Sequence, residues 1–441
     1  MNDETQTPAQ DEPVFSFLKG KEDAVAPKDG KEFNWDTAAG KVREALSDAM
    51  NARNVAFLLG SGCSSFKKEG AELGVPTMAP MAAAYIDKIG EEDDPIYATE
   101  AERTLLLERL GLDITREEFS KNLERLMEVL YSFQFSLQRS DNDALSEAKE
   151  TVDTLIGKVT RYVLKQCTEG LFSYFDESVA RLYEAFYRKL IYRDRALPRP
   201  WMFTTNYDLF SETAMDRLAI PYCNGFSGTV ERRFNPANFR YSLAEQLDIT
   251  SRKWTAVDSF VYLCKLHGSV NWIEESKGLF PIREIQQPSS SDAERVMIYP
   301  TPAKQNASFG SPYSDLFREF QTRVVRDQSV LFIIGYSFGD EHINNIIFQA
   351  LTIPTFRMIA FLPPDAEGVA AQLRDLDDPR IWMIGGQGPT DDRRAHYFDT
   401  FVEKFMPEPP GDKVDTAVAK VLETLVSGGK VGPENGGSDG L

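Results

Sequence analysis

Cysteine, histidine and positive charge are all scarce in this chain of 441 residues. The four cysteines, Cys63, Cys167, Cys223 and Cys264, include no C-x-x-C pair, so no zinc ribbon is visible and reduced thiols are the simpler reading. No apolar run approaches the roughly 18 residues of a membrane-spanning helix, so no membrane association is expected. The N-terminal stretch MNDETQTPAQDEP is acidic and polar, the opposite of a secretory leader, which points to a cytoplasmic protein. Lys and Arg number 49 against 68 Asp and Glu, giving a net charge of −19. Nucleic acids and anionic membranes are gripped by clustered Lys and Arg, so no direct nucleic-acid binding is expected. At 42% hydrophobic residues the chain has enough apolar mass for a large core.

What is present is a series of short apolar runs with the length and composition of buried strands. They are Val55–Leu59, Trp201–Thr204, Val261–Leu266, Val296–Tyr299, Val330–Ile334, Met358–Leu362 and Ile381–Ile384. Most lead through Gly, Asn, Asp or Pro into a helical pattern, which predicts an α/β fold with a mostly parallel, doubly wound Rossmann-like sheet. Ligands in such sheets bind beyond the carboxyl ends of the strands. From Met81 to Arg199 only helical periodicity appears, as in Phe119, Leu123, Leu126 and Leu130, or Val179, Leu182, Phe186 and Leu190. The expected organisation is an extended or disordered tail over 1–33, a sheet domain over 34–80 and 200–427, a helical insertion over 81–199, and a disordered tail over 428–441. Val14, Phe15, Phe17 and Leu18 stand out in the first tail as a candidate docking spot. The basic end of the insertion, Arg181 to Arg199, reads as a solvated helix face.

Four strand ends carry polar residues. The first gives Gly60-Ser61-Gly62-Cys63-Ser64, a tight turn whose amides suit a pyrophosphate, although a lone G-x-G is most often a plain turn. The second gives Thr204-Thr205-Asn206-Tyr207-Asp208, which alone reads as an Asx-type helix cap. The third gives His267-Gly268, one of three histidines, placed for proton transfer or buried as a hydrogen-bonded core residue. The fourth gives Gly335-Tyr336-Ser337-Phe338-Gly339-Asp340, a βα turn with Ser337 or Asp340 as N-cap. His342 and His396 are expected to be structural, His396 in a C-terminal helix.

In this order, with Gly74-Val75-Pro76 after the first loop, the four motifs resemble the ordered motifs of the sirtuin family. The resemblance spans about Asn54 to Leu362. It implies NAD+ binding, with Gly60, Ser61, Gly62 and Ser64 at the pyrophosphate and Asn206 at the nicotinamide-side ribose. Thr205 lies at the same edge, Asp208 would face the carboxamide, His267 would act as general base, and Gly335, Tyr336 and Ser337 would hold the adenosine half. Deacylase sirtuins also carry a four-cysteine zinc module, which these cysteines cannot build, so no zinc is expected. Without that module, and with Ile298-Tyr299-Pro300-Thr301-Pro302-x-Lys304, the chain looks like the sirtuin-like NAD hydrolases of bacterial antiphage defence. Its length is similar to the subunit that works with a HerA-type hexameric ATPase.

The resemblance thus implies an NAD+ glycohydrolase that depletes cellular NAD+ in abortive infection. A protein deacylase and a non-catalytic nucleotide sensor are the alternatives. Because unregulated NAD+ hydrolysis is toxic, homo-oligomerisation and an ATPase partner are expected controls.

Overall fold

The computed structural model describes residues 14–27, 32–68, 71–90, 94–171, 177–194, 196–248, 253–275, 281–286, 288, 296–298 and 312–408. The expected tail over 428–441 and the Pro300–Lys304 motif lie outside the described residues. The chain begins with strands β1 (Ser16–Lys19) and β2 (Glu22–Asp23), helix α1 (Trp35–Met50) and strand β3 (Asn54–Leu59). A hairpin follows, β4 (Ser65–Lys68) with β5 (Ala71–Gly74). Helices α2 (Met78–Ile86), α3 (Glu100–Leu110), α4 (Glu117–Lys121), α5 (Leu123–Leu137), α6 (Ser146–Leu171) and α7 (Ser178–Leu190) then lead to β6 (Trp201–Thr204). Beyond it come α8 (Phe210–Arg217), β7 (Tyr222–Cys223), β8 (Phe226–Ser227), β9 (Arg232–Phe234) and the hairpin of β10 (Ala244–Asp248) with β11 (Lys253–Ala256). Strands β12 (Val261–Lys265), β13 (Gly268–Glu274), β14 (Ile282–Glu284) and β15 (Val296–Ile298) follow. The remainder alternates: α9 (Tyr313–Val324), β16 (Ser329–Ile334), α10 (Glu341–Leu351), β17 (Arg357–Phe361), α11 (Val369–Asp375) and β18 (Ile381–Gly385).

Nine strands form the main sheet in the order β2-β1-β18-β17-β16-β3-β6-β12-β7. From β18 to β7 every pairing is parallel. Buried parallel strands need apolar side chains on both faces, and β3 shows why its run has no polar alternation. Val55, Phe57 and Leu59 pack into one core layer with residues of α1 and α7, while Ala56 and Leu58 join the other with residues of α9 and α10. Helices therefore cover both faces, and the fold is α/β, doubly wound and Rossmann-like. The strand order turns back between β3 and β16, the switch point where ligands of such sheets bind.

A second, antiparallel sheet of five strands runs β15-β13-β14-β9-β8. The Val296 run belongs here as β15, paired with β13, and not to the parallel sheet its apolar character suggested. Gly268, at φ +92, turns the chain out of β12 into this sheet. A left-handed conformation at that point is the reason a glycine follows His267.

Within the tail expected to be extended or disordered over 1–33, residues 14–27 are extended and packed, not disordered. Residues 16–19 form β1, antiparallel to β18. Phe15 and Phe17 are buried. The Phe15 ring lies 5.6 Å from Trp35 and 5.9 Å from Phe405, and Phe17 meets Trp382 edge-on at 5.4 Å. The docking spot is thus an internal seam: a run of four apolar residues broken only by Ser16 is too short to tell a buried strand from an exposed docking segment. His396 also departs from expectation, lying in a turn before the short helix at Phe398. Burial there holds its ring down at about 4. Among the described residues no helix is long and apolar enough to cross a membrane.

The seam should carry real stability. Phe17→Ala is expected to destabilise the protein by about 3 kcal/mol or more in urea unfolding. Val14→Ala, at a side chain 59% exposed, should stay within about 0.5 kcal/mol of wild type. Equal effects would mean that β1 is not integral to the sheet.

Candidate active site

Register brings the four polar strand ends to one line. Ile334 pairs with Leu59, Leu59 with Thr204, and Thr204 with Lys265. The next residues along, Gly335, Gly60, Thr205 and Leu266, therefore leave the sheet side by side, at about 4.8 Å per strand. Above them opens a cavity of about 550 Å³. Ser61, Ser64, Thr205, Asn206, Asp208, His267, Gly335, Tyr336 and Ser337 all line it. Gly60 and Gly62 lie just behind the lining, and α5 and α6 roof it with residues such as Glu124, Arg125 and Val163.

The two glycine loops touch backbone to backbone. A Cβ on Gly60 would run into the Gly335 carbonyl, and one on Gly62 would come within 2.9 Å of the Gly335 Cα. The amides of Gly60 and Gly62 donate to Ile334 O (2.9 Å) and Gly335 O (3.0 Å), and those of Cys63 and Ser64 donate to Gly60 O and Ser61 O. This revises the reason for the first motif. Its glycines serve the loop contact, and four of its amides are engaged within the protein. Among the described residues the Ser61, Tyr336, Ser337 and Gly339 amides have no acceptor, and these four residues face the cavity. Cys63 is buried, its thiol donates to Ile334 O at 3.2 Å, and burial pushes its pKa well up, so it is an inert packing residue.

Asn206 is the hub of a buried polar chain. Its Nδ2 donates to Gly60 O (2.9 Å) and to Ser64 Oγ (2.8 Å). Because Gly60 O can only accept, the amide orientation is fixed. Ser64 in turn donates to Asp208 Oδ2 at 2.6 Å, with Tyr183 OH 3.2 Å from the same hydroxyl. Asp208 Oδ1 accepts from Phe210 N at the start of α8. Asn206 Oδ1 is buried beside the cavity and has no partner among the described residues. A buried acceptor left empty is costly, so this oxygen is the group that a ligand hydroxyl or water would satisfy.

His267 binds Asp340 through Nε2 at 2.9 Å. Asp340 does two jobs with two oxygens, since its Oδ1 caps α10 by accepting from Ile343 N. Burial opposes a charged ring at His267, yet the hydrogen bond to Asp340 and the fields of Glu124 and Asp340 outweigh it and raise its pKa. Asp340 is correspondingly lowered: burial opposes its charge, but the bond and charge of His267 prevail. With Nε2 committed, proton exchange with a ligand falls to Nδ1.

Three features have no signal in the sequence motifs. Asp340 as partner of His267 is one, because the sequence marks it only as a helix cap. Glu124, in the first turn of α5, is another: it accepts from Tyr207 OH at 2.5 Å and ties the helical region to the Asn206 loop. The third is Lys265, buried beneath that loop. It donates to Asp208 O, to Tyr207 O (3.3 Å), to Ser269 Oγ (2.8 Å) and to Glu212 Oε1 (3.1 Å). His342 lies on the cavity wall in the first turn of α10.

Residues 200–381 match the SIR2-like domain. The match supports a sirtuin-like family and with it the use of NAD+. It covers Thr205 to Asp208, His267 and Gly335 to Ser337, while the Gly60 loop lies before it. No curated protein matches the chain. Among the described residues no group of three or more His, Cys, Asp or Glu is placed to hold a metal ion. Cys63, Cys167, Cys223 and Cys264 are free thiols on separate elements.

Two measurements check this geometry. Gly60→Ala should cost about 1–3 kcal/mol of stability, because neither loop can recede without breaking its sheet bonds. In an imidazole NMR titration His267 should titrate above 6.5 in wild type. In Asp340→Asn it should fall below that value, since burial then dominates. The stabilisation from the pair is complete below the unfolded histidine value and fades as pH rises through the higher folded one. An unchanged midpoint in Asp340→Asn would contradict the pairing.

Proposed function

We propose that the protein is an NAD+ glycohydrolase that releases nicotinamide and ADP-ribose. The observation that carries the reading is the Asn206 Oδ1, unpartnered among the described residues, on a residue that lines the same cavity as the His267–Asp340 pair, within a chain that matches the SIR2-like domain. A cavity of about 550 Å³ is in the range of ligand sites for molecules of this class. The free amides of Ser61, Tyr336, Ser337 and Gly339 suit the pyrophosphate, with Arg125 at the rim.

In the reaction the nicotinamide–ribose bond breaks and its electron pair leaves with the nicotinamide ring. A water oxygen bonds to the ribose carbon, and the proton that water loses passes to His267 Nδ1. Asn206 Oδ1 accepts from the ribose hydroxyl or from that water and fixes its direction. Positive charge develops on the ribose, and the carboxylates of Glu124, Asp208 and Asp340 around the cavity favour it. Most of the barrier reduction then comes from positioning and from this field.

Deacylation would need an acyl-lysine to reach the ribose in place of water, and residues of α5 and α6 line the cavity in which it would have to fit. By the same resemblance the activity belongs to a bacterial defence effector in the cytoplasm. It would be held in check by self-assembly and by a HerA-type ATPase partner, and would act by depleting NAD+.

Incubation with NAD+, with and without the ATPase, should release nicotinamide and ADP-ribose in equal amounts. Asn206→Ala and His267→Ala should each lower the rate by about 100-fold or more. Because His267 acts unprotonated, the rate should climb with pH through its raised pKa, and Asp340→Asn should move that rise to lower pH. Wild-type rates in both alanine variants would end the site assignment. Nicotinamide release that requires an acyl-lysine peptide would favour the deacylase.

A further inference from the structure

At the opposite end of the same strands a second cleft of about 440 Å³ opens at the amino-terminal edge of β3, β6 and β12. Arg199, Trp201, Tyr262, Arg323 and Arg326 line it, and an adjoining hollow shares Arg326 and adds Arg53. Trp201 stacks on Tyr262 with ring centres 4.3 Å apart and planes at 6°. The Arg323 guanidinium lies 4.2 Å from the Trp201 ring centre and is steadied by Glu319 at 3.1 Å. Arg323 is therefore set in place before any ligand arrives. Arg199 donates to the carbonyls of Leu197 and Asp258 and contributes mainly charge. Arg53 and Arg326 are exposed and form no ion pair among the described residues. Asp327 is the carboxylate at the edge of the hollow, and its Oδ1 accepts from the Thr355 hydroxyl.

Four guanidiniums drawn from three separate stretches of a chain of net charge −19 are not the by-product of a basic surface. Their mutual repulsion shows at Arg326, whose pKa is lowered by partial desolvation and then by the fields of Arg323 and Arg53. A polyanion would relieve that repulsion. Planar guanidiniums match phosphate oxygens in pairs, and a flanking apolar wall (Leu197, Pro198 and the Tyr262 edge) suits a base. We propose that this cleft is a second ligand site, for a nucleoside polyphosphate bound by Arg53, Arg323 and Arg326. The site is separate from the NAD+ cavity and does not depend on the chemistry proposed there. The two are joined by β3, β6 and β12, which span about 13–20 Å at 3.3 Å per residue.

The test is calorimetric titration of the full chain with ATP, with inorganic triphosphate as competitor. Wild type and Asn206→Ala should bind ATP equally. The double variant Arg53→Ala/Arg326→Ala should bind about tenfold or more weakly. Triphosphate should displace the nucleotide, and raised salt should weaken binding. Both arginines are exposed, so the double variant should retain the wild-type circular dichroism spectrum. The proposal is overturned if the folded double variant binds like wild type, or if wild type binds no ATP. It is equally overturned if Asn206→Ala abolishes binding, which would put ATP in the NAD+ cavity. Tighter binding of a single-stranded oligonucleotide at these arginines would make the cleft a nucleic-acid surface instead.

Discussion

The approach of Gly60 to Gly335 at the switch point of the sheet is the contact on which the rest of the site depends. Two loops leave adjacent parallel strands and meet main chain to main chain, with no side chain between them. That closeness lets the Gly60 carbonyl turn toward β6, where Asn206 caps it. From there one chain of hydrogen bonds runs through Ser64 to Asp208 and into the first turn of α8. A methyl group at either glycine would push the loops apart and misplace Asn206, even though it touches no ligand.

The polar groups beneath this contact come at a thermodynamic cost. Lys265 and Glu212 are both buried, and taking two charges out of water is only offset when the geometry is good and other bonds complete the set. Lys265 meets that condition by holding two carbonyls of the Asn206 loop and the Ser269 hydroxyl. Glu212 does not fully meet it: burial pushes its carboxyl up against the pull of Lys265, and Oε2 lacks a partner among the described residues. Asn206 Oδ1 is the second orphan, a few residues away. Of the two, Asn206 belongs to the cavity lining, and stability given up at such a residue is the usual signature of a site organised for something other than folding.

Much of this is legible in the sequence. Every parallel strand from β3 to β18 except the short β7 falls within a residue or so of an apolar run, because a strand buried on both faces has no alternative composition. The line-up of Gly60, Asn206, His267 and Gly335 followed from the rule that such sheets work at their carboxyl ends. What stayed hidden was pairing across distance. Asp340 and His267 are 73 residues apart, and Glu124 and Tyr207 are 83 apart. A carboxylate that caps a helix with one oxygen gives no sign of what the other does. The purpose of the glycines is also hidden, since a turn and a loop-to-loop contact demand the same residue. The arginines of the second cleft are scattered through the chain, and only the sheet edge gathers them.

The seam between β1 and β18 has a consequence for how the molecule is made. Ser16 pairs with Gly385, so nearly the whole described chain separates the two partners. During synthesis β1 emerges first and must wait, with Phe15 and Phe17 bare, until the last strand of the sheet has left the ribosome. Closing so long a loop makes this a late event in folding. The edge of the sheet is therefore sealed only in chains that have been translated past Gly385. Shorter products keep an open strand edge beside two uncovered phenylalanines, the features that chaperones and proteases recognise.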